Sequence, residues 1–154
     1  MIRRLRTEDI SKAAEIWLRG SLQAHDFVAA AYWQKMKPSV IRDYLPRAET
    51  YVFVDRHQIK GFISLPEKNY VGALFVDPAF QRQRIGSKLL EYVRRKRPEL
   101  KLQVYCRNSG AQKFYRSRGF QSLKEQSDDS TGEKELIMCW AKGSKNIMRR
   151  RGDS

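Results

Sequence analysis

The chain has 154 residues and a formal net charge of +14, and 41% of its residues are hydrophobic. This length and hydrophobic fraction are sufficient for one domain with a buried core. No run approaches the ~20 apolar residues that span a bilayer, and the opening residues "MIRRLRTEDI" lack the apolar region of a signal peptide, so we expect a cytoplasmic protein without a membrane segment.

The N-terminal part of the chain predicts one strand followed by two helices. Residues 2–6 alternate apolar and basic side chains, which is typical of a half-buried strand. A helix with an apolar stripe is expected after Thr7, and a second, less regular helix is expected over residues 29–45. Residues 21–27 form the connection. The stripe consists of Ile10, Ala13, Ala14, Trp17 and Leu18.

Strands and helices then alternate along the rest of the chain. Runs rich in β-branched and aromatic residues predict strands, and apolar residues at helical spacing predict helices. The predicted strands cover residues 50–55 and 58–66, which form a hairpin, and then 70–78, 100–106, 120–125 and 135–140. The predicted helices cover residues 84–97, which Pro98 ends, and 109–118, which Gly119 closes.

The predicted order of elements is β-α-α-β-β-β-α-β-α-β-β. Strand–helix–strand units cross over in a right-handed sense, so this order predicts an α/β (α+β) fold with a central sheet of mixed direction flanked by helices. Since no repeat or linker interrupts the chain, residues 1–141 are expected to form a single domain. Residues 142–154 are basic and poor in apolar side chains, so we expect a disordered tail.

Positive charge is concentrated in two segments. Residues 82–97 contain seven basic residues and one acidic residue, and residues 142–154 contain five and one. A surface this basic attracts polyanions such as nucleotides, RNA or acidic protein surfaces. The two cysteines, Cys106 and Cys139, form neither a disulfide framework nor a C-x-x-C pair, so we expect reduced thiols and no bound metal.

The junction between the strand at 70–78 and the next helix carries the clearest chemical signal. A helix that begins directly after a strand presents unpaired N–H groups and the positive end of its dipole, and phosphate binds there. Within "QRQRIGS", residues 81–87, Gly86 allows a ligand to approach the backbone, and Arg82 and Arg84 add charge. The same pattern also fits an ordinary strand–helix connection with a basic surface.

Four sequence blocks between about Leu74 and Phe120 resemble the GNAT superfamily of acetyl-CoA-dependent N-acyltransferases. The blocks are "LFVDP", "QRQRIGSKLL", "QVYCRN" and "AQKFYRSRGF". The family signature Gln/Arg-x-x-Gly-x-Gly/Ala stands here as residues 81–86, with Arg84 in place of the first glycine. Because a helix N-terminus does not require a positive φ, we expect Arg84 to adopt helical dihedrals and to keep its N–H available for pyrophosphate.

The resemblance implies a set of acetyl-CoA contacts. Backbone groups of Leu74, Phe75 and Val76 would pair with the pantetheine amides, and one N–H would polarise the thioester carbonyl. Asn108 would contact the pantetheine arm, although it also fits a simple helix cap. Tyr115 would protonate the departing thiolate, although it also fits a core aromatic residue. The pyrophosphate would be held by Gln81, Arg82, Gln83, Arg84, Ile85, Gly86 and Ser87.

The general base is less evident from the sequence. An acceptor ammonium with a pKa of about 10.4 must lose a proton before it attacks. Many family members use a glutamate where this chain has Gln103. His25, Asp26 and Glu67 are the alternatives, directly or through an ordered water. His25 is selected as the catalytic candidate because histidine titrates near neutral pH, and its "AHDF" setting resembles a loop of small bacterial YiaC/YjaB-type members; a purely structural role is the alternative.

Two aromatic residues, Tyr70 and Trp33, are candidates to line the acceptor groove, and both also fit a core position. The resemblance implies acetyl transfer to a primary amine, which is a protein lysine, an N-terminal amine or a small amine. Two other functions stay open: acetylation of aminoacyl-tRNA, which the +14 charge would favour, and a non-catalytic module that binds CoA or nucleic acid. Both a monomer and a homodimer fit the sequence.

Overall fold

The computed structural model describes residues 1–143, so the predicted tail lies outside the described residues apart from Lys142 and Gly143. The chain divides into two compact units, residues 1–95 and the residues from Lys96 onward. The single domain expected over 1–141 stays a prediction. Within residues 1–143, no helix is both long and apolar enough to cross a membrane.

The elements follow the predicted order. The strands are β1 Ile2–Arg4, β2 Glu49–Asp55, β3 Gln58–Leu65, β4 Tyr70–Val71, β5 Ala73–Val76, β6 Glu99–Tyr105, β7 Gln121–Ser127 and β8 Lys134–Ala141. The α-helices are α1 Ile10–Ala24, α2 Ala30–Ser39, α3 Leu45–Arg47, α4 Ile85–Arg94 and α5 Ser109–Ser117. Short 3₁₀ turns cover Thr7–Asp9 and Pro78–Phe80.

The first unit contains an antiparallel sheet with the strand order β1-β2-β3-β5. Strands β2 and β3 form the predicted hairpin, and their two-residue turn is Arg56 and His57. Both turn residues have positive φ, 53° and 64°, as a type I′ turn requires, although Asn-Gly is the usual sequence there. Strand β5 is at the edge of this sheet.

Helices α1 and α4 cover opposite faces of β3, because neighbouring residues of a strand point to opposite sides. Phe62 is fully buried in a core with Ala13 and Ile16 of α1. Gly61 faces α4, where a Cβ atom would lie 3.1 Å from Ile85 Cγ2 and 2.9 Å from the carbonyl oxygen of Phe75. The absent side chain at residue 61 therefore sets how closely α4 approaches β3 and β5.

The second unit contains an antiparallel arrangement of β6, β8 and β7. Strand β6 alternates between exposed and buried residues, and Leu100, Leu102 and Val104 face inward. Helix α5 ends at Ser117, and Gly119 has a φ of 89°, in agreement with its predicted role as the residue that closes the helix.

Two predicted elements differ in detail from the structure. The strand over 70–78 is divided at Gly72 into β4 and β5, and Pro78 begins a 3₁₀ turn. The helix over 29–45 is divided into α2, a π-helical turn at Val40–Tyr44 and the short α3. Both interruptions lie on the same cavity of the first unit, which is described below.

Substitution of Gly61 by alanine tests the close packing of α4. The new Cβ would meet backbone as well as side-chain atoms, so we expect a loss of about 1–3 kcal/mol in the free energy of unfolding. Gly110→Ala is the matched control, because its Cβ would have no neighbour closer than 3.9 Å. Urea unfolding of both variants measures the difference, and equal stabilities would contradict the packing argument.

Candidate active site

Strand β5 presents the backbone that would accept a cofactor arm. It pairs antiparallel with β3, with Leu74 opposite Ile63 and Phe75 opposite Phe62. Because β5 is the last strand of its sheet, the N–H and C=O groups of its outer edge face away from β3. An extended amide chain can pair with such an edge as an added strand, which suits the pantetheine arm of acetyl-CoA.

The end of β5 is tied to helix α1 by a buried carboxylate. Asp77 is 2% exposed, and its Oδ1 accepts the Ala79 N–H at 3.0 Å and contacts Arg19 Nη1 at 3.1 Å. Lys12 Nζ lies 3.7 Å from Oδ2. The sequence analysis missed this anchor. Its signal was present, since Lys12 and Arg19 lie seven residues apart, on one face of a helix, and await an anionic partner.

The segment after Asp77 has an unusual backbone conformation. Arg82 and Arg84 have φ angles of 67° and 61°, in the left-handed region. The expectation that Arg84 would adopt helical dihedrals is therefore wrong, because Arg84 takes the conformation that the glycine of the signature would adopt without strain. A left-handed residue next to a right-handed one, here Arg84 and then Ile85, turns successive N–H groups to one side and forms an anion-binding concavity.

The rest of this loop also suits a pyrophosphate. Gln81 to Arg84 are exposed, whereas Ile85 is 2% exposed and anchors the start of α4. Gly86 and Ser87 are the second and third residues of α4, where N–H groups lack partners within a helix. Gln81 Nε2 donates a hydrogen bond to Gln23 Oε1 of α1 at 3.2 Å. The loop thus combines backbone donors, a helix N-terminus and exposed positive charge, as an anion site requires.

His25 follows α1 and lies within an aromatic cluster of the first unit. Its ring centroid is 5.4 Å from that of Trp33, 5.9 Å from Phe27 and 6.4 Å from Phe75. Burial lowers the pKa of His25 to about 4, so the imidazole is neutral at pH 7 and accepts a proton weakly. This environment favours a structural role, and the assignment of His25 as the base stays a prediction.

The other acceptor-side candidates have mixed environments. Asp26 and Glu67 are exposed, and the backbone of Glu67 forms a bridge with Tyr70. Trp33 is 7% exposed and packs edge-on against Trp17, with the ring centroids 6.0 Å apart, so it has the character of a core residue. Tyr70 is half-buried in β4.

The second unit carries Asn108 and Tyr115 on one short helix. Asn108 caps α5, since its Oδ1 accepts the Ala111 N–H at 3.1 Å. The Tyr115 ring packs against Phe114 and Phe120 at centroid distances of 5.1 and 5.3 Å. Burial raises the pKa of the Tyr115 phenol, which therefore keeps its proton at neutral pH. Gln103 is exposed on β6 and registers with Ile137.

The structure groups the predicted residues within each unit. In the first unit, Leu74, Phe75 and Val76 lead through Asp77 into the loop, and His25 packs beside Phe75. In the second unit, Asn108 and Tyr115 share α5. Their contacts with acetyl-CoA stay predictions.

Comparison with known proteins supplies an independent observation. Residues 11–134 match the family described as "Acetyltransferase (GNAT) domain". The peptidyl-lysine N-acetyltransferase YiaC of Escherichia coli (strain K12) is 34% identical over 140 residues, which are 91% of this chain and 96% of YiaC. The solution structure of apo-form YjaB from Escherichia coli has a TM-score of 0.79 and 30% identity, and covers 91% of this chain and 96% of YjaB.

A more distant structure shares the fold. The PaiA N-acetyltransferase from Thermoplasma acidophilum in complex with coenzyme A has a TM-score of 0.75 at 19% sequence identity. The match covers 92% of this chain and 98% of that protein.

The left-handed conformation of Arg84 predicts a stability difference between two variants. Arg84→Ala removes the guanidinium and keeps a Cβ atom at positive φ, whereas Arg84→Gly also removes the Cβ. We expect the glycine variant to be more stable than the alanine variant by about 0.5–1 kcal/mol, since a residue with a Cβ is strained there. Urea unfolding measures this difference, and equal stability would mean that the backbone carries no strain at this position.

The low pKa of His25 predicts a pH-dependent stability. Between about pH 6.5 and 4, histidine binds a proton in the unfolded chain before it does so in the folded chain, so stability falls as pH falls through this window. We expect this group to contribute a loss of roughly 2–3 kcal/mol, at about 1.4 kcal/mol per pKa unit. His25→Phe, which keeps an aromatic ring in the cluster, should remove that part of the decline in urea-unfolding free energy.

The chain's other histidine provides the control. His57 is exposed in the β2–β3 turn, and His57→Asn keeps a residue that tolerates positive φ. This variant should keep the wild-type decline below pH 6.5. If the His25→Phe variant declines as steeply as the wild type, burial of His25 is not the cause.

Proposed function

The chain belongs to the GNAT family of acetyl-CoA-dependent N-acetyltransferases, and from this premise we propose that its acceptor is the side-chain amine of a protein lysine. The relative YiaC, which carries the name peptidyl-lysine N-acetyltransferase, aligns over nearly the whole length of both chains. The structural observation that supports the proposal is the edge strand β5, which leads into a loop with two left-handed arginines at the start of α4.

The residues of the first unit fit the two ends of acetyl-CoA. The outer edge of β5, at Leu74, Phe75 and Val76, offers alternating backbone donors and acceptors to the pantetheine amides. The loop Gln81–Ser87 offers N–H groups and the α4 dipole to the pyrophosphate. Exposed guanidinium groups of Arg82 and Arg84 add attraction for the phosphates. In the second unit, Asn108 is the proposed contact for the pantetheine arm, in addition to its cap.

The proposed reaction is a direct transfer. The lysine nitrogen, once neutral, attacks the thioester carbonyl carbon, so that an N–C bond forms as the C–S bond breaks. A β5 N–H would stabilise the negative charge that develops on the carbonyl oxygen. Tyr115 is the proposed donor of a proton or hydrogen bond to the leaving sulfur, and its raised pKa keeps that proton available.

The base in this scheme is assigned by exclusion. Gln103 cannot take up a proton usefully. His25 packs beside β5, but its pKa of about 4 makes it a weak acceptor of the ammonium proton. The exposed carboxylates of Asp26 and Glu67, acting through water, are the alternatives to His25.

A second candidate function has support from the net charge of +14. An aminoacyl-tRNA offers a primary amine on a polyanion, and phosphate contacts would make its acetylation fall steeply with salt. Transfer to a lysine peptide without phosphates should depend on salt much less.

An acetyl-transfer screen tests the proposal. Purified protein and acetyl-CoA are incubated with lysine peptides, N-terminal peptides blocked at lysine, polyamines and charged tRNA, and products are read by mass. We expect modification at lysine nitrogen and at least a tenfold loss of kcat in Tyr115→Phe, since a positioned acid contributes about 10²–10⁴-fold, with little change in acetyl-CoA affinity. Modification of tRNA or polyamines alone would reject the lysine assignment.

The Gly86→Glu variant is the control for cosubstrate binding. A carboxylate at the second residue of α4 would repel the pyrophosphate, so CoA should protect the wild type, but not this variant, against thermal unfolding. Equal protection of both proteins would place the cosubstrate elsewhere.

A further inference from the structure

The first unit contains a cavity of about 500 Å³ beside the start of β5. This volume lies within the range of small-molecule sites. Its apolar lining includes Trp17 of α1, Met36 of α2 and Val40. Its polar lining includes Asp43 and Tyr44. Gly72, the residue that separates β4 from β5, closes one side.

Two departures from regular backbone create this cavity. The π-helical turn Val40–Tyr44 places Val40, Asp43 and Tyr44 on the cavity, and π turns within helices are frequent at functional sites. On the other side, a Cβ atom at Gly72 would collide with the Tyr44 hydroxyl and with Pro66. Glycine at this position therefore leaves room for the phenol and for whatever approaches it.

The Tyr44 hydroxyl is the chemical feature that points to a ligand. It is buried and forms no hydrogen bond with the protein within residues 1–143. A buried polar group without a partner costs about 1–3 kcal/mol, which a ligand with a donor or acceptor would offset. Burial, together with the nearby Tyr70, raises the pKa of Tyr44, so the group is a neutral phenol that can accept one N–H.

The direction of β5 places the cavity at the acyl end of the cosubstrate. This step rests on the proposed function. The pyrophosphate loop follows the C-terminal end of β5, and Gly72 immediately precedes its N-terminal end. Four residues of strand span roughly 13 Å. A pantetheine arm paired along β5 from the loop therefore carries its thioester toward Gly72, and the attacking amine must reach the same place.

We propose that this cavity receives the side chain of the acceptor lysine, with its methylene groups against Trp17, Met36 and Val40 and its amine hydrogen-bonded to the Tyr44 oxygen. Asp43 lines the same cavity and favours a group that arrives as a cation, although Arg47 also lines it and moderates that preference. The alternative occupant, an acyl chain longer than acetyl, fits less well because a hydrocarbon tail would leave the Tyr44 hydroxyl without a partner.

Tyr44→Phe tests this assignment because it removes only the hydroxyl. With a peptide that contains a single lysine, we expect KM for the peptide to rise about 3- to 10-fold, the equivalent of one hydrogen bond. The affinity for acetyl-CoA, measured by calorimetry, should change less than twofold. Asp43→Asn should raise KM for the peptide by a smaller factor, and Gly72→Ala should raise it most, because its Cβ displaces the phenol.

Tyr92→Phe is the matched control. Tyr92 lies on α4 and packs against Tyr51, with the ring centroids 4.9 Å apart, on the face of the sheet opposite α1. This variant should keep the wild-type KM. Thermal unfolding of all variants in the presence of acetyl-CoA shows whether each protein is folded and binds its cosubstrate.

The outcomes separate this inference from the proposed function. If the wild type acetylates lysine peptides and Tyr44→Phe has the wild-type KM for the peptide, the cavity is not the lysine pocket. If Tyr44→Phe instead gains activity with butyryl-CoA at unchanged peptide KM, the cavity holds the acyl group, and the assignment is overturned. If the wild type binds acetyl-CoA but modifies no lysine peptide, the proposed function itself fails.

Discussion

The contact between helix α1 and strand β5 is the constraint on which the first-unit site depends. Gly20 leaves room for the Phe75 ring, which would lie 2.5 Å from a Cβ atom at residue 20. Arg19 reaches the buried carboxylate of Asp77 at the end of β5. Trp17, from the adjoining part of α1, lines the cavity at the start of β5. One helix therefore positions both ends of the strand, and with them the phosphate loop and the proposed lysine pocket.

The phosphate loop shows how tertiary structure overrides local preference. An arginine rarely adopts positive φ, because its Cβ is strained there. Nevertheless, Ile85 must enter the core beside Gly61 immediately after Arg84, and this requirement fixes where α4 begins. The sequence predicted the location of the loop and its charge. It could not predict the backbone angle, since that angle follows from the distance between β5 and α4 and not from the residue type.

The same distinction separates the other successes from the failures. The alternation Leu100, Leu102, Val104 identified β6, because a strand with one buried face leaves a period of two in its sequence. The break at Gly72 leaves no such mark, since residues 70–76 form a continuous apolar run. The π turn at Val40–Tyr44 is equally hidden, because an extra residue in a helix shifts its periodicity only slightly. Both features are visible only where the elements pack together.

Burial also gives a physical reason why the chain can function with Gln103 where relatives use glutamate. It lowers the pKa of His25 and raises the pKa of Tyr44, so both groups of the first unit are neutral at pH 7. A half-buried site lined by neutral aromatic groups disfavours an ammonium ion and lowers its pKa by desolvation. The lysine nitrogen then needs only a weak base or water to lose its proton, and the strong positive charge of the chain stays at the phosphate loop, where the cosubstrate is anionic.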